Sequence, residues 1–214
     1  MNFLVNKILD DGSVSYGLTG SGYVVLIIVC VLLMTIGCFA RDNNSKLNVK
    51  HIAFAAMAIA LAVIKLPMGG SVTLFSMLFI VLIGYWYGIK TGLTAAIAYG
   101  VLQLLLDPYI LNIPQVLLDY ILGFGALGLS GIFSKSKHGL VKGYIIGVIG
   151  RFICSFLSGW IFFAVYTPDF FNSAILYSVV YNGSYIGLEA VVTLVVISLP
   201  PVNKALAYVK NNLV

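Results

Sequence analysis

Residues 142–166 read KGYIIGVIGRFICSFLSGWIFFAVY. Past Lys142 the run holds one charge, Arg151, and its apolar residues fill every face of a helix instead of one stripe. A helix that is apolar all round lies inside protein or lipid. A run of more than ~20 such residues, rising ~1.5 Å each, crosses a hydrocarbon layer of ~30 Å. Working outward, six further apolar runs follow the same habit, at 22–40, 50–66, 72–89, 92–106, 115–133 and 174–199. The whole chain is 61% hydrophobic and 9% charged, against about 25% charged residues in a soluble domain. So few charges cannot cover a water-facing surface. The expectation is an all-α membrane protein. Residues 49–214 form a six-helix transmembrane bundle, and residues 1–48 form an N-terminal segment with an extra transmembrane helix at about 22–40.

The net charge of +5 has a membrane explanation. Arg41, Lys46, Lys50, Lys90, Lys135, Lys137, Lys142, Lys204 and Lys210 all fall on one side if the seven runs alternate. Lys7 and Lys65 fall on the other, beside Asp10, Asp11, Asp107 and Asp169. Basic residues gather on the cytoplasmic side, which predicts a multi-pass cell-membrane protein with its N-terminus outside and its C-terminus in the cytoplasm. No basic stripe with interleaved aromatics supports nucleic-acid binding. Cys30, Cys38 and Cys154 lie inside apolar runs without framework spacing, and no disulfide is expected. The run at 22–40 follows about twenty polar and Gly-rich residues, a poor signal-peptide n-region, and reads as a retained helix. Pro67, Gly69–Gly70, Pro108, Pro114 and Pro200–Pro201 punctuate the connections.

Several function classes are excluded by what the chain lacks. It has no phosphate-cradling Walker A pattern and no H-E-x-x-H metal motif. His51 and His138 both sit at predicted cytoplasmic ends, so neither an enzyme centre nor a metal site is expected, and no cofactor is implied. No internal repeat of the kind that builds many secondary transporters is evident. Ala56 and Ala60 have the small-xxx-small spacing within an alanine-crowded run. That spacing serves either packing inside the bundle or docking on another membrane subunit, and the sequence leaves both open.

Ionisable groups inside a span need a reason. Arg151 and Glu189 lie at similar depths on adjacent predicted helices, and an intramembrane ion pair between them is expected, since pairing is the ordinary way to tolerate such charges. Asp119 lies early in its span, where an acid near a helix N-terminus is favourable in itself. Its company suggests more. Tyr109 and Tyr120 are close in sequence, and Ser155, Gly159, Trp160, Phe163, Tyr177 and Asn182 reach the same outer half from the last two spans. Each ring alone reads as packing or as an interfacial anchor. Together, aromatic faces attract organic cations and stack flat heterocycles, a carboxylate accepts from an amino group, and Asn both donates and accepts. The set suits a flat, cationic, nitrogen-rich ligand.

These residues carry a family resemblance. The stretch Ile113 to Tyr120 (IPQVLLDY), continuing to Phe133, resembles the fourth core helix of thiamine-specific substrate-binding components of energy-coupling factor (ECF) transporters. Gly69-Gly70-Ser-Val-Thr73, RFICSFLSGWIFF at 151–163 and Tyr177 to Asn182 (YSVVYN) match in the same order, so the resemblance covers about residues 50–200. It implies a six-helix protein that captures thiamine from outside and passes it inward after docking on a transmembrane coupling subunit with two ATPases. It further implies that Asp119, Tyr177 and Asn182 contact the aminopyrimidine, that Tyr109 and Tyr120 line the pocket, and that the helix of Ala56 and Ala60 docks on the coupling subunit. Two positions depart from the pattern: Ser155 stands where relatives often have His, and Phe163 where some have Trp. Alternatives are a component for a thiamine precursor or another heterocyclic vitamin, and a stand-alone proton-coupled carrier.

Overall fold

The computed structural model describes residues 5–10, 13–21, 24, 28, 49–63, 75–106 and 108–212. Most of the expected span at 22–40 lies outside the described residues, as do Cys30, Cys38, Lys65 and Gly69–Thr73. From residue 49 onward, the described elements are all helical. They are α1 (Val49–Ala62), α2 (Ser76–Tyr87), α3 (Ile89–Leu106), α4 (Ile113–Phe133), α5 (Gly139–Phe162), α6 (Ala174–Ser198) and α7 (Pro200–Asn212). Four of them, α3 to α6, are long and apolar enough to cross a membrane. Two elements were not anticipated. The polar lead-in contains an antiparallel hairpin, β1 (Val5–Asp10) paired with β2 (Ser13–Leu18) in the register Asp10↔Ser13. In the sequence, Asp-Gly is a standard hairpin dipeptide, a local signal that apolar runs do not register. The second is α7. Pro200–Pro201 does end α6, but proline is also favoured at a first helical turn, and the chain turns into another helix.

The central element is α4. Its inner half packs against α2, α3 and α5 at once, and glycine makes that possible. A Cβ built on Gly128 would lie 2.6 Å from the Leu93 backbone, and one on Gly131 only 2.4 Å from that of Ile89. Real Cβ atoms do not approach backbone so closely, so α3 and α4 touch main chain to main chain. Gly88, with φ of 86°, joins α2 to α3 in a single residue, a conformation that favours glycine. Buried apolar residues, among them Ile80, Val81, Leu127, Tyr144 and Ile186, fill the space around this seam.

Helices α1 and α2 are shorter than the runs that predicted them. At ~1.5 Å per residue they fall well below a full crossing. Their ends inside the bundle must therefore be satisfied by protein groups. The Tyr99 hydroxyl of α3 donates to the Ala62 carbonyl at 2.8 Å, and Gln103 Nε2 donates to that hydroxyl at 2.8 Å. At the start of α2, Glu189 Oε1 of α6 accepts from the Met77 N–H at 3.2 Å and from Ser76 Oγ at 3.3 Å. A carboxylate at a helix N-terminus is favourable electrostatically as well.

Arg151, expected from the sequence to pair with Glu189, stands on the neighbouring helix α5. The Arg151 guanidinium lies 3.9 Å over the Phe124 ring, with Nη1 buried and unbonded. At the opposite end from Asp119, α7 is tied to the bundle. Trp86 Nε1 donates to the Leu206 carbonyl at 3.3 Å, and Lys210 sits over the Tyr85 ring while donating to the Ser134 carbonyl.

Candidate functional site

The first half of α4 is not an ordinary α-helix. Pro114 sits in its first turn, where its missing N–H costs nothing. Asn112 caps it, Oδ1 accepting from the Gln115 N–H at 2.9 Å. Residues Leu117–Leu122 then widen into a π-helical turn, and Asp119 lies within it. Such turns often mark functional sites. Gln115 Nε2 donates to Asp119 Oδ2 at 2.7 Å, a short contact. The Ser158 hydroxyl of α5 faces the same carboxyl. It belongs to a residue only 1% exposed and has no hydrogen bond within normal limits.

A second polar group stands where α5 meets α6. A Cβ on Gly159 would lie 2.4 Å from Ser178 Oγ and 2.9 Å from Asn182 Nδ2. The absence of a side chain at Gly159 is what lets Asn182 reach α5. Asn182 Nδ2 donates to the Ser178 carbonyl at 2.9 Å, and its Oδ1 accepts from the Tyr185 hydroxyl at 2.8 Å. Ser178 Oγ donates to the Phe156 carbonyl at 2.7 Å. Asp119, Arg151 and Ser155 all lie near enough to act electrostatically on Tyr185. Asp119, Ser155, Ser158 and Asn182 thus share one polar region, bounded by α4, α5 and α6.

Aromatic rings gather at the end of α4 and α5 nearer the loop that follows α3. The Tyr109 N–H donates to the Tyr120 hydroxyl at 3.0 Å. The Tyr109 ring stacks on Phe163 at 5.5 Å between centroids, and its hydroxyl meets that of Tyr166 at 3.3 Å. That hydrogen bond, more than burial, holds the Tyr109 phenol above the ordinary tyrosine range, so it stays neutral. Strand β2 lies against α5 and the Ala164–Tyr166 turn, at this same end.

The expected residues therefore fall into three sets. Asp119, Ser155, Gly159 and Asn182 belong to the polar region. Tyr109, Tyr120 and Phe163 belong to the cover. Trp160 and Tyr177 form the third, held by ring contacts: Trp160 stacks on Phe156 at 6.2 Å, and Tyr177 meets Phe171 at 5.2 Å and Tyr181 at 5.7 Å. Gln115, Ser158, Ser178, Tyr166 and Tyr185 were missed. Gln115 had a signal, since positions four apart on a helix face each other. Among the described residues there is no cluster of three metal-ligating side chains.

The family described as thiamine transporter protein matches residues 49–208. The thiamine transporter ThiT of Bacillus subtilis is 31% identical to this chain over 179 residues, covering 73% of this chain and 92% of that one. The thiamine transporter ThiT of Lacticaseibacillus paracasei is 29% identical over 127 residues, covering 51% and 63% respectively. A solved structure of ThiT from Listeria monocytogenes aligns with a TM-score of 0.56 at 25% identity, over 71% of this chain and 93% of that one.

Proposed function

Because the chain belongs to the thiamine transporter protein family, we propose that it is the thiamine-binding membrane subunit of an ECF importer. It captures the vitamin at the outer face and delivers it inward with a coupling subunit and two ATPases. The observation that carries this reading is Asp119, an intramembrane acid held at 2.7 Å by Gln115 beneath the Tyr109–Phe163 stack. Thiamine brings a permanent cation and an aminopyrimidine. Aromatic faces attract the first and a carboxylate accepts from the second. Asn182, set against Gly159, supplies the amide, and Tyr120, Ser155, Trp160, Phe163 and Tyr177 complete the ligand surroundings in this proposal. Asn182 keeps one Oδ1 lone pair beyond its bond from Tyr185.

The orientation follows the basic residues. Lys135, Lys137, Lys142, Lys204 and Lys210 gather around α7 and the α4–α5 connection, the end opposite Asp119. We place that end in the cytoplasm, with the site opening outside. Ala53, Ala56 and Ala60 of α1 are exposed beside Met57, which is 53% exposed. A face of small residues left uncovered by the bundle suits close approach of another helix, and it supports Ala56 and Ala60 as the docking face. The chain carries no nucleotide-binding motif, so ATP must act on the partners.

The test is titration of purified, ligand-free protein with thiamine, read by the fluorescence of Trp86 and Trp160. Saturable binding without ATP is expected. Asp119→Ala should weaken it by about 100-fold or more, the scale of losing a buried charged hydrogen-bond partner and its electrostatic attraction. Its unfolding temperature without thiamine should stay close to the parent's. Full affinity in a folded Asp119→Ala protein would remove the acid from the site.

A further inference from the structure

We propose that Gln115 is a positioning residue for ligand recognition: it holds the Asp119 carboxylate in one rotamer and couples that rotamer to the aromatic cover. This rests on the reading that Asp119 contacts the ligand. Gln115 is 1% exposed, and both ends of its amide are engaged. Its Oε1 accepts from the Leu111 N–H at 3.1 Å, and its Nε2 donates to Asp119 Oδ2 at 2.7 Å. The chemistry of the neighbours fixes which end is which. A peptide N–H only donates, so the amide oxygen must face Leu111, and the NH₂ must then face the carboxylate. An N–H at that position favours the ionised, accepting form of Asp119. It occupies Oδ2, so a donor on the ligand meets Oδ1, beside the Ser158 hydroxyl.

The same side chain ties the site together mechanically. Leu111 and Asn112 belong to the short loop that begins just after α3, and Asn112 Oδ1 accepts from the Gln115 N–H at 2.9 Å. Two residues earlier in that loop, the Tyr109 N–H bonds to the Tyr120 hydroxyl, and the Tyr109 ring stacks on Phe163. A continuous set of contacts thus runs from Asp119 through Gln115 to the loop and then to the ring that covers the site. The acid and the cover take their positions from one buried amide. Ligand contact at Asp119 is thereby linked to how the loop closes above it.

A double-mutant cycle tests this, using Gln115→Met, Asp119→Asn and the pair. The two probes are thiamine and an analogue whose exocyclic ring amine is replaced by a carbonyl oxygen. Gln115→Met keeps the length of the side chain and removes both hydrogen bonds. It should weaken thiamine about 10-fold and lower discrimination against the analogue by a similar factor, because a carboxylate free to rotate no longer selects the donor. In the Asp119→Asn background the same change should cost less than about 2-fold, since residues acting through one another are non-additive.

Equal losses in both backgrounds, or equal losses for both probes, would overturn the proposal and leave Gln115 a structural residue. Parent-like thiamine binding by Asp119→Asn alone would instead remove the reading beneath it. Gln115→Glu covers the case where the Met variant fails to fold. It retains an acceptor for Leu111 but sets two carboxyls against each other, and such pairs share a proton at neutral pH. Thiamine affinity of that variant should change more steeply across about pH 5–8 than the parent's. Coincident profiles would count against the proposal.

Discussion

The two halves of α4 obey different physics. From Gly123 to Phe133 the helix is dry, and Gly128 and Gly131 press their main chain against α3. From Ile113 to Leu122 it is capped, widened into a π-turn and furnished with Gln115 and Asp119. The second half has no room for a side chain at Gly128 and Gly131, and the first half carries a buried amide and a carboxyl bonded to each other. One continuous span is thus close-packed at one end and polar at the other, and in the proposed function the ligand meets the polar end.

The largest effect should come from filling the inner seam. Gly131→Val places two methyls and a Cβ where the Cβ alone would sit 2.4 Å from Ile89. Since the obstacle is backbone, relief requires moving α3 away from α4. We expect a cost of about 3 kcal/mol or more, read as loss of folded protein or a large drop in unfolding temperature in detergent. Gly125→Ala, one turn and a half away on the same helix, meets only the flexible end of Ile97 at 3.6 Å and should be close to neutral. If both variants behave alike, the seam is not what holds the inner half. Thiamine affinity of whatever Gly131→Val protein folds should be near the parent's, because the damage lies away from the site.

The middle of the bundle gives an intermediate effect. Glu189 serves the buried start of α2 through Ser76 and Met77. Glu189→Ala removes the acceptor from both donors, which should cost about 1–3 kcal/mol. Glu189→Gln keeps an acceptor and should recover part of it. Thermal unfolding without thiamine measures the difference. A larger loss in Glu189→Gln than in Glu189→Ala would mean that the charge, and not the hydrogen bonds, is what α2 needs.

The sequence was most legible where one property repeats over many residues. Apolar runs located α3 to α6 to within a few residues, because a hydrocarbon core imposes length and polarity on every span. The runs were poorest at α1 and α2. A short helix ending inside the bundle looks like a long one when the residues beyond it are apolar, and nothing local announces that Tyr99 and Glu189 satisfy the loose ends. The ionisable residues were found by their rarity, but not all of their contacts were. Depth set Arg151 and Glu189 at one level, and gave no sign that Arg151 lies over the Phe124 ring or that Glu189 accepts from the start of α2. Asp119 gained its company by the same depth argument, which brought in Ser155, Gly159 and Asn182. It also brought in Trp160 and Tyr177, and gave no sign of the aromatic rings each of them packs on. Helical depth is one coordinate, and a side chain's direction is another that spacing alone gives loosely.

The smallest expected change probes the outer half without damaging it. Phe163 closes the cover by stacking on Tyr109 at 5.5 Å, with Tyr166 at 6.2 Å on its other side. It is partly buried against Leu118, Leu122 and Cys154. Its place at the rim leaves more freedom than the seam at Gly131. Among aromatic side chains indole draws a cation best, and the whole attraction at an exposed site is about 0.5–1 kcal/mol. Phe163→Trp gains a part of that and should bind thiamine about 2-fold more tightly, leaving unfolding without ligand unchanged. A neutral analogue lacking the quaternary nitrogen separates charge from area. If the gain is cation–π in origin it vanishes with that analogue, whereas a gain that persists comes from the larger apolar face. A loss of stability instead would show the cover to be packed as tightly as the seam, and the contrast between the two halves of α4 would then end at the helix itself.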